Sequence, residues 1–225
     1  MAEILHKEKE IVALPEIDNI LEKRKIQLII KRIFDIVFSL LGLIILLPIF
    51  LIIAIAIKID SKGPVFFKQV RVGKNGKEFS ILKFRTMVVD AEKKGLQITV
   101  GRDSRITKVG YFLRKYKLDE LPQLINVLLG DMSFVGPRPE VSKYVAIYDE
   151  NQRIVLKVKP GITDIASIEF IDENLLLSQS NDPERVYIED IMPKKLKLNI
   201  EYIKNISIIT DIKLILKTIF KIIHK

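Results

Sequence analysis

The stretch "IVFSLLGLIILLPIFLIIAIAI", residues 36–57, holds no charged side chain. As a helix it would rise about 1.5 Å per residue, for roughly 33 Å, enough to fill the hydrocarbon core of a bilayer. A buried helix of a soluble protein is the competing reading, but apolarity on every face favours lipid. A cleaved signal fits poorly, because the run lies far from Met1 and no small-residue cleavage pattern follows it. Residues 36–57 therefore read as membrane-embedded.

Two features complicate a simple span. Pro48 sits inside the run, where it removes a helix hydrogen bond and kinks the backbone. Basic residues flank both ends, Lys31 and Arg32 before and Lys58 and Lys62 after, so the positive-inside rule gives no direction. A kinked single span and a segment that enters one leaflet, bends at Pro48 and returns are equally compatible with these residues. Arg32 and Asp35, three apart, can pair on one helical face at the membrane interface.

Outward from this run, Pro15 to Lys31 reads as a helix lying on the membrane surface. The other end of the chain, "TDIKLILKTIFKIIHK", sets Lys213, Lys217 and Lys221 against Ile212, Ile215, Ile219, Ile222 and Ile223. A basic helix with such a face suits the headgroup boundary, and packing on a core is the alternative. Between them, "PVFFKQVRV" and "KEFSILKFRT" alternate like strands around Gly73-Lys74-Asn75-Gly76, a β-hairpin pattern. Ile106 to Lys117 is helical in period, and a further helix should start at Asp119, with Pro122 in its first turn and Gly130 past its end. The expected fold is α+β: a surface helix within residues 1–27, a membrane segment over 28–58, and a domain over 59–225 that would carry any chemistry. That domain would hold the hairpin, several short helices and the amphipathic C-terminal helix.

Composition narrows the chemistry. The 225 residues contain no cysteine, which excludes disulfide frameworks, thiol nucleophiles and Cys-ligated metals. The only histidines, His6 and His224, lie close to the two termini, so a Ser-His-Asp triad or a multi-histidine metal site is not expected. The net charge of +9 is concentrated: residues 58–119 carry sixteen Lys/Arg and six Asp/Glu, whereas the flanking segments are nearly neutral. Such a stretch favours an anionic partner, whether phosphate groups, nucleic acid or an anionic membrane surface.

Neither glycine-rich phosphate motif, "GxxxxGK[ST]" or "GxGxxG", is present. What remains is Asp119-Glu120 in "LDELPQLINVLLGDMSFVGPRP". Adjacent acids can divide labour, one attacking phosphorus and the other holding Mg²⁺. Taken alone, such a pair is more often a cap and a first-turn acid. Lys83, Arg85, Arg102, Arg105, Arg114 and Arg138 could clamp diphosphate oxygens, although any single one could equally be solvated surface charge. Nucleic-acid binding would use similar residues, but no nucleic-acid fold signature accompanies them.

The motifs in order, "KRIFD" (31–35), "PVFFKQVRVG", "KFRTM" (83–87), "LDELPQL", "GDMSFVGPRP" and "KPGIT" (159–163), resemble the bacterial sugar transferases, the polyprenyl-phosphate hexose-1-phosphate transferases. That resemblance implies transfer of a sugar-1-phosphate from a UDP-sugar to undecaprenyl phosphate, with release of UMP, at the cytoplasmic face of the bacterial inner membrane. The transfer initiates exopolysaccharide, O-antigen or glycoprotein glycan assembly. It further implies Asp119 as the nucleophile that carries a covalent phosphosugar and Glu120 as the Mg²⁺ ligand. Lys83, Arg85, Arg114 and Arg138 become phosphate contacts, and Pro48 the break of a re-entrant membrane helix. Partners would be the two substrates, inner-membrane lipid and later enzymes of the glycan pathway, with nucleic acid not expected. Two departures stand out: Leu47 where many members have Ser, and Asp164, Ala166 and Ser167 where many have Gly followed by Ala-Gln. A membrane-anchored scaffold that kept the fold without turnover is the alternative.

Overall fold

The structure, a computed structural model, describes residues 14–91 and 103–224. Arg102 and the first thirteen residues lie outside the described residues. The architecture is α+β, with ten α-helices and two small two-stranded sheets among the described residues.

Helix α1 (Leu14–Lys23) is followed after one residue, Arg24, by α2 (Lys25–Asp60). The helix boundary thus falls at Arg24, a few residues before the expected one. α1 turns its apolar side inward: Ile17 is fully buried, and Leu14, Ile20 and Leu21 pack on the same core. Its hydrophobic face is covered by protein.

α2 has 36 residues, about 54 Å of helix. It stays helical through Pro48, so the proline does not divide it into two helices as the sequence reading expected. Burial varies along its length. Lys31, Asp35 and Ser39 are buried near one end and Ile53 and Ile57 near the other. Between them Ile45 is 71% and Ile52 67% exposed. A helix with that much apolar surface outside the protein is long and apolar enough to cross a membrane.

Strands β1 (Phe66–Val72) and β2 (Glu78–Phe84) form the expected antiparallel hairpin, with Phe66 opposite Phe84 and Val72 opposite Glu78. Asn75 (φ 57°) and Gly76 (φ 76°) make the turn in the left-handed region that Asn and Gly tolerate best. Alternation puts Phe67, Gln69, Arg71, Ile81 and Lys83 on the more buried side. Helix α3 (Lys108–Lys115) is capped by the Thr107 side chain and packs so closely on the chain at Thr86 that a Cβ on Gly110 would meet the Thr86 carbonyl oxygen at 2.1 Å.

After α3 comes a single 3₁₀ turn, Leu118–Glu120, and then α4 (Gln123–Leu129), closed by Gly130 at φ 96°. The α-helix thus begins after the acidic pair, not at Asp119. Asn126 joins α4 to the hairpin: its Oδ1 accepts from Leu82 N at 2.9 Å and its Nδ2 donates to Ser80 O at 2.8 Å. One side chain here does the pairing of a third strand, fixing the acidic turn relative to Lys83.

Short strands β3 (Ser133–Val135) and β4 (Gly161–Thr163) pair in parallel, with α5 (Ser142–Val145) between them. Then follow α6 (Ile165–Glu169), α7 (Glu173–Ser178), α8 (Pro183–Val186), α9 (Met192–Lys204) and α10 (Ile208–Ile223). The main core lies under α9, where Tyr144, Ile154, Leu177, Tyr202 and Ile203 are buried. A second, smaller cluster joins Ile53 and Ile57 of α2 to Phe84 and Leu113.

α10 combines both expected environments with an inverted arrangement. Asp211 and Leu214 face the protein, Lys217 pairs with Glu169 at 2.6 Å, and Lys221 donates to the carbonyl of Ile168. Its outer face carries Ile209, Ile212, Leu216, Ile219 and Phe220, all exposed. Lys217 and Lys221 tie the helix down, Ile215 packs on the main core, and Ile209, Ile212 and Ile219 point away.

Candidate active site

Asp119 and Glu120 sit side by side in the 3₁₀ turn, in opposite surroundings. Glu120 is ion-paired: Lys83 Nζ lies 3.0 Å and Arg138 Nη2 2.6 Å from its Oε1, with Arg138 Nη1 3.4 Å from Oε2. Burial alone would raise its proton affinity, but Arg138 and Lys83 outweigh that and hold the carboxyl well below the usual range. Asp119 is only 7% exposed, and its Oδ1 is buried with no donor. Burial, reinforced by the adjacent Glu120 carboxylate, raises its pKa against the pull of Lys83, Lys117 and Arg114. One acid is locked as an anion; the other is desolvated and more basic. A desolvated, more basic carboxylate beside a permanent charge is an arrangement that can serve nucleophilic attack.

The cations arrive from separate elements. Lys83 projects from β2, and burial lowers its pKa against the opposing field of Glu120. Arg138 comes from the Gly136-Pro137-Arg138-Pro139 turn after β3. That turn is held against β4 by Gly136 N to Thr163 O at 3.1 Å and Gly161 N to Pro137 O at 3.0 Å. The two backbones cross so tightly that a Cβ on Gly161 would meet Gly136 N at 2.1 Å, so both positions must stay glycine.

Behind Arg138 stands a layer that the sequence reading did not identify. Arg71 Nη1 pairs with Glu140 Oε1 at 3.0 Å, Arg71 Nη2 donates to Gln69 at 2.7 Å, and the Tyr187 hydroxyl donates to the other Glu140 oxygen. Arg71 N–H groups also reach the Pro139 carbonyl at 3.2 Å. This network pins the residues on either side of the Arg138 turn. The period-two alternation of β1 placed Arg71 beside Gln69 on the inner face, the one signal that could have found it.

Other expected residues take different places. Arg114 donates from Nε to Thr86 Oγ1 at 2.8 Å, close enough to the dyad for its charge to act on Asp119. Arg85 is buried and spends its guanidinium on the carbonyls of Ser61, at 2.8 Å, and Lys62. It closes the end of α2, because the chain has left β2 at Phe84 and no longer alternates toward Lys83. Arg105 is bound two-handed to Asp103 and to the Ala91 carbonyl. The pair expected between Arg32 and Asp35 does not form. Arg32 caps α4 through the Val127 and Leu128 carbonyls at 2.6 and 2.9 Å, whereas Asp35 accepts from Ser133 Oγ and Phe134 N at 3.1 and 3.0 Å. Both residues have better partners in the domain than each other. Asp164, one of the departures, is buried and caps α6 by accepting from Ser167 N at 3.0 Å.

A hard cation needs oxygen ligands, and the dyad offers the unpartnered Asp119 Oδ1 and the permanently ionised Glu120. Among the described residues no group of three or more acidic or histidine side chains forms a cage. Mg²⁺ typically takes one or two carboxylates and completes its shell with water and substrate phosphate, so this donor set fits it.

Residues 26–225 match the family described as bacterial sugar transferase. The chain belongs to that family. Among curated relatives of this sugar transferase, the UDP-glucose:undecaprenyl-phosphate glucose-1-phosphate transferase of Klebsiella pneumoniae is 43% identical, over 87% of this chain and 40% of its own length. The UDP-N-acetylgalactosamine-undecaprenyl-phosphate N-acetylgalactosaminephosphotransferase of Aeromonas hydrophila is 38% identical, over 84% of this chain and 43% of its own length. The exopolysaccharide production protein PSS of Rhizobium leguminosarum bv. phaseoli is 39% identical, over 85% of this chain and 94% of its own length. The chain thus spans less than half the length of the first two and nearly all of the third.

Proposed function

We propose that the protein is a phosphoglycosyl transferase that moves a sugar-1-phosphate from a UDP-sugar to undecaprenyl phosphate. The observation that carries this reading is the contrast between Asp119, buried with an unpartnered oxygen, and Glu120, ion-paired to Lys83 and Arg138. A carboxylate oxygen of Asp119 attacks the phosphorus that bears the sugar. The bond from that phosphorus to the bridging oxygen breaks, UMP leaves with the electron pair, and a phosphosugar remains on Asp119. An oxygen of the polyprenyl phosphate then attacks the same phosphorus, breaks its bond to Asp119 and regenerates the carboxylate. Both halves use one site in turn, which gives ping-pong kinetics.

Lys83 and Arg138 hold Glu120 until a diphosphate supplies competing oxygens, so they are placed to neutralise the charge of the transferred group. Mg²⁺, held by Glu120 with Asp119 beside it, would neutralise phosphate charge when bound. Arg114 supports Asp119 from the other side. Glucose and N-acetylgalactosamine both occur in the relatives' names, so the sugar is to be found by trial.

The reading includes a place for the protein on the cytoplasmic face of the bacterial inner membrane, where it would start a glycan that later pathway enzymes extend. Its support is the way α2 is gripped. Near one end Lys31 and Asp35 bind β3 and α10; at the other Asp60 accepts from Val109 N at 3.0 Å and Arg85 binds Ser61. One body holds both ends, whereas a span would put them on opposite sides of the bilayer. α2 is then re-entrant, curving near Pro48, and the outer face of α10 lies in the same interface.

The test is incubation with UDP-glucose and UDP-N-acetylgalactosamine, with Mg²⁺ and without acceptor. Stoichiometric UMP and a phosphosugar adduct on the peptide holding Asp119 are expected. UMP that appears only with acceptor, with no adduct, would replace the covalent route by direct transfer.

A further inference from the structure

Gln123, the first residue of α4, is 1% exposed, and its Nε2 is buried with no acceptor. Leaving such a donor unpaired forfeits its hydration without return, so a buried orphan amide calls for an explanation. Four residues earlier lies Asp119, whose Oδ1 is buried with no donor. The backbone from Asp119 to Gln123 turns continuously, through the 3₁₀ turn and the right-handed helical conformations of Leu121 and Pro122. Residues four apart in such a turn are neighbours, and helical side chains lean toward the N-terminus, so Gln123 lies over the turn that carries Asp119. A lone donor and a lone acceptor are thus buried one turn apart, beside the carboxylate on which the phosphosugar would form.

We propose that Gln123 is a further catalytic residue, its carboxamide N–H donating to the phosphoryl group as it is carried by Asp119. The inference rests on the covalent reading given above and deepens it. Attack by Asp119 converts its carboxylate into an acyl phosphate and brings phosphoryl oxygens into the pocket. Gln123 then acquires the acceptor it lacks, and it acquires it only when the bond to phosphorus is forming. An interaction made in the transition state and absent in the free enzyme accelerates the step without tightening substrate binding. Lys83 and Arg138 supply charge to the same group, whereas Gln123 supplies a neutral donor that does not compete with Glu120 for them.

The test uses the full chain in phosphatidylethanolamine–phosphatidylglycerol nanodiscs, comparing wild type, Gln123→Met and Gln123→Glu after thermal melts show which variants fold. Met keeps the length without a donor. UMP burst rate and adduct formation are followed with UDP-glucose and UDP-N-acetylgalactosamine. Gln123→Met should slow adduct formation about 100-fold, the scale of a lost transition-state donor, with KM for the UDP-sugar within about threefold. Gln123→Glu is an acceptor when ionised and a donor when protonated, so its rate relative to Gln123→Met should climb as pH falls. A folded Gln123→Met with wild-type adduct formation, or a loss confined to KM, overturns the proposal. If Gln123→Met does not fold, the pH profile of Gln123→Glu relative to wild type decides alone. Infrared difference spectra separate this from the underlying reading. The Asp119 carboxyl band, assigned by its loss in Asp119→Asn, should move in Gln123→Glu, and an unmoved band shows that the two side chains do not face each other. Wild type that forms neither UMP nor adduct defeats the covalent reading instead.

Discussion

The ammonium group of Lys31 on α2 is paired with the carboxylate of Asp211 on α10, 180 residues away in the chain. Lys31 also donates to the Val135 carbonyl at 2.8 Å, and the Tyr202 hydroxyl donates to the second Asp211 oxygen at 2.6 Å. Val135 is the last residue of β3, just before the turn that carries Arg138. The two helices with the most exposed apolar surface are thus clasped together directly behind the turn that carries Arg138.

Both partners of that clasp are buried, and removing one strands the other. Lys31→Met or Asp211→Leu should cost about 3–5 kcal/mol and lower the melting temperature in either detergent or nanodiscs. The double variant Lys31→Met/Asp211→Leu should be more stable than either single one, because no uncompensated charge remains. Additive losses in the double variant would show that the pair is incidental to stability.

Asp119→Asn should reduce adduct formation to background, since an amide is a poor nucleophile, and at the same time stabilise the protein at neutral pH. The sign follows from the raised pKa of Asp119. An acid that holds its proton more tightly in the folded state favours folding below its unfolded pKa, and that contribution is lost as pH rises through the folded value. Asn never carries the charge, so its advantage should be full at pH 7 to 8 and vanish toward acid. Thermal melts across that range check it. A melting temperature below that of wild type at pH 8 would contradict the buried environment assigned to Asp119.

Glu120→Gln should behave in the opposite way. Its folded pKa is depressed, so the ionised form contributes stability above the unfolded pKa that is lost as pH falls through the lower folded value. Gln leaves Lys83 and Arg138 unpaired and should lower the melting temperature most at neutral pH, with the difference shrinking in acid. The Mg²⁺ titration of activity should shift to higher concentration in the same variant. An unshifted titration would move the metal ligand elsewhere.

The hairpin was legible because alternation and a Gly-Lys-Asn-Gly turn are local properties. So was the Gly130 stop, which needs only one positive φ. The motif singled out the acidic pair, which the fold sets in one 3₁₀ turn. Arg32 and Asp35 misled because spacing reveals only intrahelical neighbours, while their actual partners at Val127 and Ser133 are some hundred residues away. Arg85 entered as one of several cations near the motif, and only the fold shows its guanidinium bound to the Ser61 and Lys62 carbonyls. Gln123 and Asn126 look like ordinary helix polars in sequence. Only the packing of α4 on β2 shows that both are buried, and that one of them lacks a partner.

The last prediction concerns how α2 sits in lipid. Its outward apolar side chains are exposed, yet near both ends it is bound by the same domain: Lys31 and Asp35 by α10 and β3, Asp60 and Ser61 by α3 and Arg85. A helix of about 54 Å exceeds a hydrocarbon core of about 30 Å, so a straight span would carry its ends well beyond the bilayer on either side. Pro48 leaves the Ile44 carbonyl without its usual donor, a cost of several kcal/mol in dry lipid that shallow insertion and water would relieve. Single cysteines at the exposed positions Asn19 and Lys74 should therefore be labelled from the same side by an impermeant reagent, the cytoplasmic one. The native chain has no cysteine, so the background is clean. Labelling of the Asn19→Cys variant from outside intact cells, with Lys74→Cys protected, would establish a true span. It would also force the Lys31–Asp211 clasp apart, so the same variant pair tests whether that clasp exists in the membrane.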